Sequence, residues 1–308
     1  MNQKPLVSVH MITYNHAQFI CQAIDGVLNQ RTTFQIEIVI GEDCSTDGTK
    51  EIVFKYQQKY PEIIRIVTSE KNVGMSANFV RTLNACKGKY IAFCEGDDYW
   101  TDPLKLQKQV DIMESEPDCA VCVHNATILQ GSKETLHWPD IKKPKYTLNE
   151  VFRNYFIATN SILLRAKWLW RVLPDWFFEL PGSAGPIVYY ACKHGYLRTI
   201  NETMSVYRKH AGGVHSSLTQ IEQINKGIEG RLLLQREFPN NPGLKKAILN
   251  LNCRAIDILT NNGDFEKSKK YWKTYIRPQI LGNPVLLKYG IKAYFPHTYL
   301  SLIKILNI

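Results

Sequence analysis

Three carboxylates surround one glycine in Glu95-Gly96-Asp97-Asp98, directly after the apolar run Tyr90-Ile91-Ala92-Phe93-Cys94 and before Tyr99-Trp100. Such an apolar run reads as a buried strand. An unpaired buried carboxylate is costly, and clustered ones disfavour each other's ionised form unless a cation neutralises them. The arrangement implies a divalent metal site at the carboxyl end of a strand in an α/β sheet, where Mg²⁺ or Mn²⁺ would hold substrate phosphates with one or two protein carboxylates. The competing reading is a helix cap, with Asp97 or Asp98 closing the amino end of a helix through Leu104-Lys105-Leu106-Gln107. Taken alone, the motif does not choose between them.

The elements around the motif favour the first reading. Val7 to Ile12 is a β-rich run followed by the polar loop Thr13-Tyr14-Asn15-His16. Ile36 to Ile40 is a second apolar run, and it leads into Gly41-Glu42-Asp43-Cys44-Ser45-Thr46-Asp47-Gly48-Thr49. Phe19, Ala23, Ile24, Val27 and Leu28 recur at helical spacing, as do Ile52, Val53 and Tyr56. Ile64 to Val67 reads as a third strand, and Asn78 to Ala85 as a helix leading to the strand at Tyr90. Strands alternating with helices imply βαβ units and a parallel sheet, whose polar strand ends share one ligand-binding edge.

With these pieces in this order, the chain resembles a family 2 glycosyltransferase of the GT-A fold over about residues 5 to 215. The resemblance rests on Thr13-Tyr14-Asn15, on Glu42-Asp43 through Thr49, and on Asn72-Val73-Gly74 with Asn78. It closes on Glu95-Gly96-Asp97-Asp98 and Tyr207-Arg208-Lys209-His210-Ala211-Gly212-Gly213. Each piece is weak alone; their order and spacing make the match specific. The implied fold is α/β, with a mostly parallel central sheet and a helical C-terminal region. No P-loop and no G-x-G-x-x-G is present.

The resemblance implies roles for particular residues. Asp43 accepts a hydrogen bond from the nucleotide base, usually uracil; an ionised carboxylate is acceptor-only and suits an imide N–H. Tyr14 packs on the base, and Thr13 and Asn15 add polar contacts. Asn78 stands near the base or bridges to a loop. Asp97 matches the last acid of the D-x-D motif that ligates Mn²⁺ or Mg²⁺ on the diphosphate. Glu95 replaces the usual first Asp, keeping the charge on a longer arm that reaches the metal, its bound water or the ribose. Arg208 and His210 are candidates to meet the diphosphate charge, with His210 also a candidate metal ligand. Local alternatives remain: Asx-turn chemistry for Asp43, Ser45 and Asp47, core packing for Tyr14, and a hydrogen-bonded structural role for His210.

The implied chemistry is inverting displacement at the anomeric carbon of a nucleotide-activated sugar, assisted by a general base. Aligned back from Tyr189 to Gly195, the family's Gly-Asp pair falls on Ser183-Ala184, and Ala184 cannot act as a base. Glu179 and Asp98 are the candidate replacements, although exposure is the default for a Glu. The expected activity is transfer from a nucleotide-diphosphate sugar, UDP-linked by resemblance, to a glycan or lipid-linked acceptor hydroxyl in polysaccharide biosynthesis. The alternative is a non-catalytic sugar-nucleotide-binding or partner protein. A nucleotidyltransferase fits less well, for want of a basic triphosphate loop near the amino end.

The net charge of +10 suits a polyanionic partner. No zinc-finger spacing, RNP stretch or basic heptad region is present, so nucleic acid is not expected. The cysteines are scattered, and Cys119-Ala120-Val121-Cys122 has redox spacing but lies in a strand-like run without a second pair. Reduced thiols, no evident signal peptide and no span-length apolar stretch give a cytoplasmic expectation, possible at the inner face of the membrane. Trp168, Trp170, Trp176, Phe177 and Phe178 cluster in the acceptor half, as packing or as sugar-stacking rings.

The expected division is 1–217, with a nucleotide half 1–100 and an acceptor half 101–217, then a helical region 218–308. Within it, Tyr146 to Phe156 reads as a helix and Ser161 to Arg165 as a strand. Helices are expected from Gln220, over Leu244 to Asn261, and over Phe265 to Ile276. The segment Pro284 to Ile308 mixes apolar residues with Lys288, Lys292 and Lys304. It either lies on an anionic membrane or docks on the core, with Pro296 interrupting any continuous helix.

Overall fold

The structure, a computed structural model, describes residues 4–138, 141–153, 157–169, 174–179, 184–213, 218–278 and 284–296. The chain forms two compact units, residues 1–210 and 211–308.

The first unit begins with β1 (Val7–Thr13), α1 (Ile20–Leu28), β2 (Ile36–Glu42), α2 (Thr49–Lys59), β3 (Ile64–Val67), α3 (Met75–Ala85) and β4 (Tyr90–Phe93). These strands lie in the order β3-β2-β1-β4, all parallel. Side-chain alternation along β1 explains why both sheet faces are covered. Val7, Val9 and Met11 join Ile20, Ala23, Ile24 and Val27 of α1 in one apolar core. On the other face His10 meets Phe79 of α3 and Phe93 of β4, with ring centroids 4.3 and 5.2 Å away. Gly41 lies where α3 crosses β2: a Cβ there would overlap Thr82 Oγ1 and sit 2.7 Å from Asn78 Oδ1.

A buried polar knot ties the amino ends of these strands. Ser8 Oγ donates to Glu37 Oε1 at 2.5 Å and accepts from the Lys87 and Gly88 amides. Glu37 also accepts from Arg65 Nη2 at 2.9 Å.

The sheet continues through β5 (Tyr99–Trp100), α4 (Lys105–Ser115), β6 (Cys119–Gln130), β7 (Lys133–Leu136), β8 (Lys145–Tyr146), α5 (Leu148–Arg153), β9 (Leu163–Arg165), α6 (Ala184–Ala191) and β10 (Tyr196–Lys209). The order beyond β4 is β9-β6-β10-β5, with β7 on β6 and β8 on β10. β9 is antiparallel to both neighbours, whereas β6 and β10 are parallel. The α/β class and the GT-A-like arrangement hold, with a parallel first half and a mixed second half.

Several boundaries differ from expectation. The helix expected from Tyr146 begins at Leu148 as α5, since Lys145–Tyr146 pairs with β10, and residues 154–156 lie outside the described residues. The strand expected from Ser161 begins at Leu163, because Thr159–Ser161 forms a 3₁₀ turn that buries Asn160 and Ser161. Cys119 and Cys122 are free and buried in β6, so the redox spacing marks core residues. Of the expected aromatic cluster, Phe177 is buried and stacks toward Phe79, whereas Phe178 is half-exposed. Trp168 stacks near His194; Trp170 lies outside the described residues.

The second unit is helical: α7 (Gln220–Leu234), α8 (Pro242–Asn261), α9 (Phe265–Tyr271) and α10 (Leu287–Tyr294). Side chains cap the first three. Thr219 and Glu222 form a capping box, Asn241 caps α8 with Pro242 in its first turn, and Asp264 caps α9. Leu249, Cys253 and Ile256 of α8 pack with Trp272, Ile276, Leu286 and Ala293. Residues 284–296 of the expected tail thus dock within this unit, and the remainder lies outside the described residues. Among the described residues no helix is long and apolar enough to cross a membrane.

Candidate active site

The carboxyl edge of the sheet gathers three side chains from distant parts of the chain. His16 lies in the loop after β1, Asp97 after β4, and His210 just beyond β10. His210 Nε2 is 3.1 Å from Asp97 Oδ2, and His16 Nε2 is 3.9 Å from the same oxygen. One ligand atom from each lies within 4.8 Å of the others. The His16 loop is held from below: its amide donates to Thr49 Oγ1 at 2.8 Å, and the Ala17 amide to Asp47 Oδ2 at 2.9 Å. Phe19 packs on the His210 ring at 4.8 Å.

Two imidazoles and a carboxylate form a donor set suited to a divalent ion. Two observations support that fit. Burial pushes the His16 pKa down, against the pull of the Asp97 charge, so the ring is neutral and able to ligate at pH 7. Burial disfavours ionised Asp97, but the His210 hydrogen bond outweighs it, joined by the two imidazoles where acid protonates them, and its pKa lies below the usual carboxylate value.

This set differs from the expected one. His16, which the motif reading left in a polar loop without a role, joins it; Glu95 does not. Burial, then the Asp97 charge, pushes the Glu95 pKa up to about 8. Asp98, the second candidate base, stands in a different setting. It is fully buried, its Oδ2 accepts from Asn160 Nδ2 at 3.0 Å and its Oδ1 from the Arg208 amide at 2.9 Å. Burial and the neighbouring acids hold its pKa well above the ordinary value. Asp98 thereby braces β10 against the motif loop. Arg208 donates to the Asp97 carbonyl at 2.7 Å and lies over the Tyr99 ring at 4.3 Å, its other arm on Gln22.

A second hydrogen-bonded cluster surrounds Asp43, which is buried at the end of β2. Its Oδ1 accepts from the Val73 amide at 2.9 Å and from Arg81 Nη2 at 3.1 Å; its Oδ2 accepts from the Gly74 amide at 3.0 Å. Asn78 is buried and bridges, donating to the Gly41 carbonyl and accepting from Arg81 Nε. Arg81, unremarked in the motifs, therefore ties Asp43, Asn78, the Glu42 carbonyl and Ser69 together. Asn15 adopts φ 55°, and its Oδ1 accepts from the Thr46 amide at 2.9 Å, joining the first two loops. Tyr14 is 44 % exposed beside them, so its ring is presented outward and not packed in the core. Thr13 Oγ1 is buried under Gly96 without a hydrogen-bond partner.

Glu179 ends the short 3₁₀ turn Asp175–Glu179 and is exposed. Ala184 is buried at the start of α6, and residues 180–183 between them lie outside the described residues.

Comparison with known proteins agrees with this architecture. The family model described as Glycosyl transferase family 2 matches residues 8–173. An uncharacterized protein of Mycobacterium tuberculosis is 37% identical over 220 residues, which are 69% of this chain and 62% of that protein. The chain thus spans under two thirds of the length of such relatives. Staphylococcus aureus TarS 1–349, solved in complex with UDP-GlcNAc, superposes with a TM-score of 0.62 at 18% identity, covering 93% of this chain and 81% of TarS. A mannosyltransferase of Pyrobaculum calidifontis, solved with GDP-Man and Mn²⁺, gives a TM-score of 0.59 at 15% identity, covering 95% and 88%. At these identities the two structures share the fold.

Proposed function

The chain belongs to glycosyl transferase family 2, and from that premise we propose that it moves a sugar from a nucleotide-diphosphate donor to an acceptor hydroxyl with inversion. The observation that carries the reading is the convergence of His16, Asp97 and His210 at the sheet edge that also holds Asp43. UDP is the proposed nucleotide. Asp43 Oδ2 has used one lone pair on the Gly74 amide, and the other suits the imide N–H of uracil. Tyr14 offers its exposed ring to the base, and Asn15 beside it would add a polar contact to the nucleotide; Thr13, buried under Gly96, supports that loop from below.

His16, Asp97 and His210 would hold the divalent ion. The two imidazoles favour Mn²⁺ over the more strictly oxygen-seeking Mg²⁺. When bound, such an ion offsets negative charge on the leaving diphosphate. Arg208 anchors the Asp97 loop from its backbone, keeping the carboxylate aimed. Glu179 is the proposed base for the acceptor, which would be a glycan or lipid-linked saccharide presented at the inner face of a membrane. Buried Ala184 favours one second reading, a protein that binds the nucleotide sugar without turning it over.

Calorimetric titration of UDP, GDP, CDP and dTDP, each with Mn²⁺ and with excess chelator, tests the proposal. UDP binding that requires Mn²⁺, followed by slow hydrolysis of one UDP-sugar, supports the transferase. Binding without hydrolysis across a panel of acceptors favours the second reading. No binding of any nucleotide overturns both.

A further inference from the structure

Nearly all the net charge of the chain sits in the second unit. Residues 211–308 carry fourteen Lys and Arg against six Asp and Glu, so they hold +8 of the overall +10. Part of that charge lines a groove of about 350 Å³ between α8 and the segment leading into α10. Lys246, Asn250 and Arg254 follow one another at helical spacing on α8, and Lys288 faces them from α10. Among the described residues no carboxylate pairs with Lys246, Arg254 or Lys288. Asp257, the one acid lining the groove, is 2.5 Å from Lys292 Nζ.

Beside this groove α10 is amphipathic in an unusual sense. Gly290 and Ala293 turn inward against the unit's core, whereas Leu287, Ile291, Tyr294 and Phe295 recur at i, i+4, i+7 and i+8 on the outer face. Phe295 is 62 % exposed and Val285, on the groove rim, 68 %. A nucleic-acid surface would explain the cations but not the adjoining apolar stripe. An anionic lipid surface explains both, because its phosphates face cations while its acyl boundary accepts apolar side chains.

We propose that the α8–α10 groove binds the phosphate headgroups of an anionic membrane, with Val285, Leu287, Ile291 and Phe295 entering the acyl boundary. This deepens the membrane location given above but does not depend on sugar transfer, so nucleotide titration and lipid binding can fail separately.

The test is flotation of the full chain with vesicles of phosphatidylcholine alone or mixed equally with phosphatidylglycerol. The expected result is binding to the anionic vesicles only, reversed by high salt. A variant carrying K246Q, R254Q and K288Q should bind about 100-fold more weakly, at ~5-fold per cation, while its nucleotide affinity stays unchanged. Ile291→Ser with Phe295→Ser should weaken binding without changing its salt dependence. All five positions are exposed, and circular dichroism serves to check that each variant folds. Equal binding of the triple variant and the parent overturns the groove. Failure of the parent to bind anionic vesicles overturns the membrane, as does self-association that the serine pair abolishes, which would make this face a contact between copies. Preference for nucleic acid over vesicles overturns it too.

Discussion

Asp97 is the residue on which the proposed metal and nucleotide sites both depend. Asp97→Ala should abolish Mn²⁺-dependent nucleotide binding in calorimetry; affinity like that of the parent would remove Asp97 from the site. His16→Ala should weaken Mn²⁺ binding by more than the ~10-fold that losing an outer-shell partner costs, read by titration of the ion alone. Asp97 was legible in sequence because its acidic neighbours follow an apolar strand. His16 was not, since its partners arrive from β4 and β10. The available signal was its place in the polar loop after β1, on the same sheet edge. Arg81 was silent for a related reason: a helical arginine looks solvated until Asp43 and Asn78 are seen beside it. His10 supplies a separate test. Burial lowers its pKa from 6.5 to about 4, with its ring hydrogen-bonded to the Phe79 carbonyl. The folded state then binds fewer protons than the unfolded one, so this contribution is present above pH 6.5 and lost as pH falls toward 4, up to ~3 kcal/mol. Urea midpoints across that window should fall less steeply for His10→Gln than for the parent.

At the scale of elements, α3 bears on β2 closely enough that the crossing point admits no side chain. Gly41→Ala should cost about 1–3 kcal/mol in urea unfolding, and nucleotide binding should weaken with it, because Asn78 and Arg81 ride on the displaced helix. Unchanged stability would mean that α3 shifts freely. The first half of the sheet was readable since each strand is a short apolar run followed by turn residues. The second half was not. β10 is fourteen residues long but contains Asn201-Glu202-Thr203, and its register on β6 shifts on either side of Thr203. Those irregularities break the two-residue period from which a strand is recognised. α5 begins later than its spacing suggested because Lys145–Tyr146 pairs with β10 as β8, a long-range partner that the local pattern does not reveal. The helices of the second unit, by contrast, were expected close to where they start, and the structure adds Thr219, Asn241 and Asp264 as their caps.

At the scale of the whole molecule, each unit has its own apolar core and its own charge balance. Calorimetric unfolding should therefore show two transitions, of which UDP with Mn²⁺ raises only that of residues 1–210, by the mass-action increment of a ligand that binds the folded form. A single transition that shifts as one would show that the units unfold together. Within the first unit the strands divide their labour along their length. Ser8, Glu37, Arg65 and the Lys87 and Gly88 amides lock the amino ends in a buried knot, while every proposed ligand-binding side chain sits at or beyond the carboxyl ends. The register of the strands is thus set at the edge away from the working loops. Loop segments outside the Asp43–Arg81 and Asp98–Arg208 ties can change length with little penalty to folding, so variation in what this edge binds can accumulate on an unchanged platform.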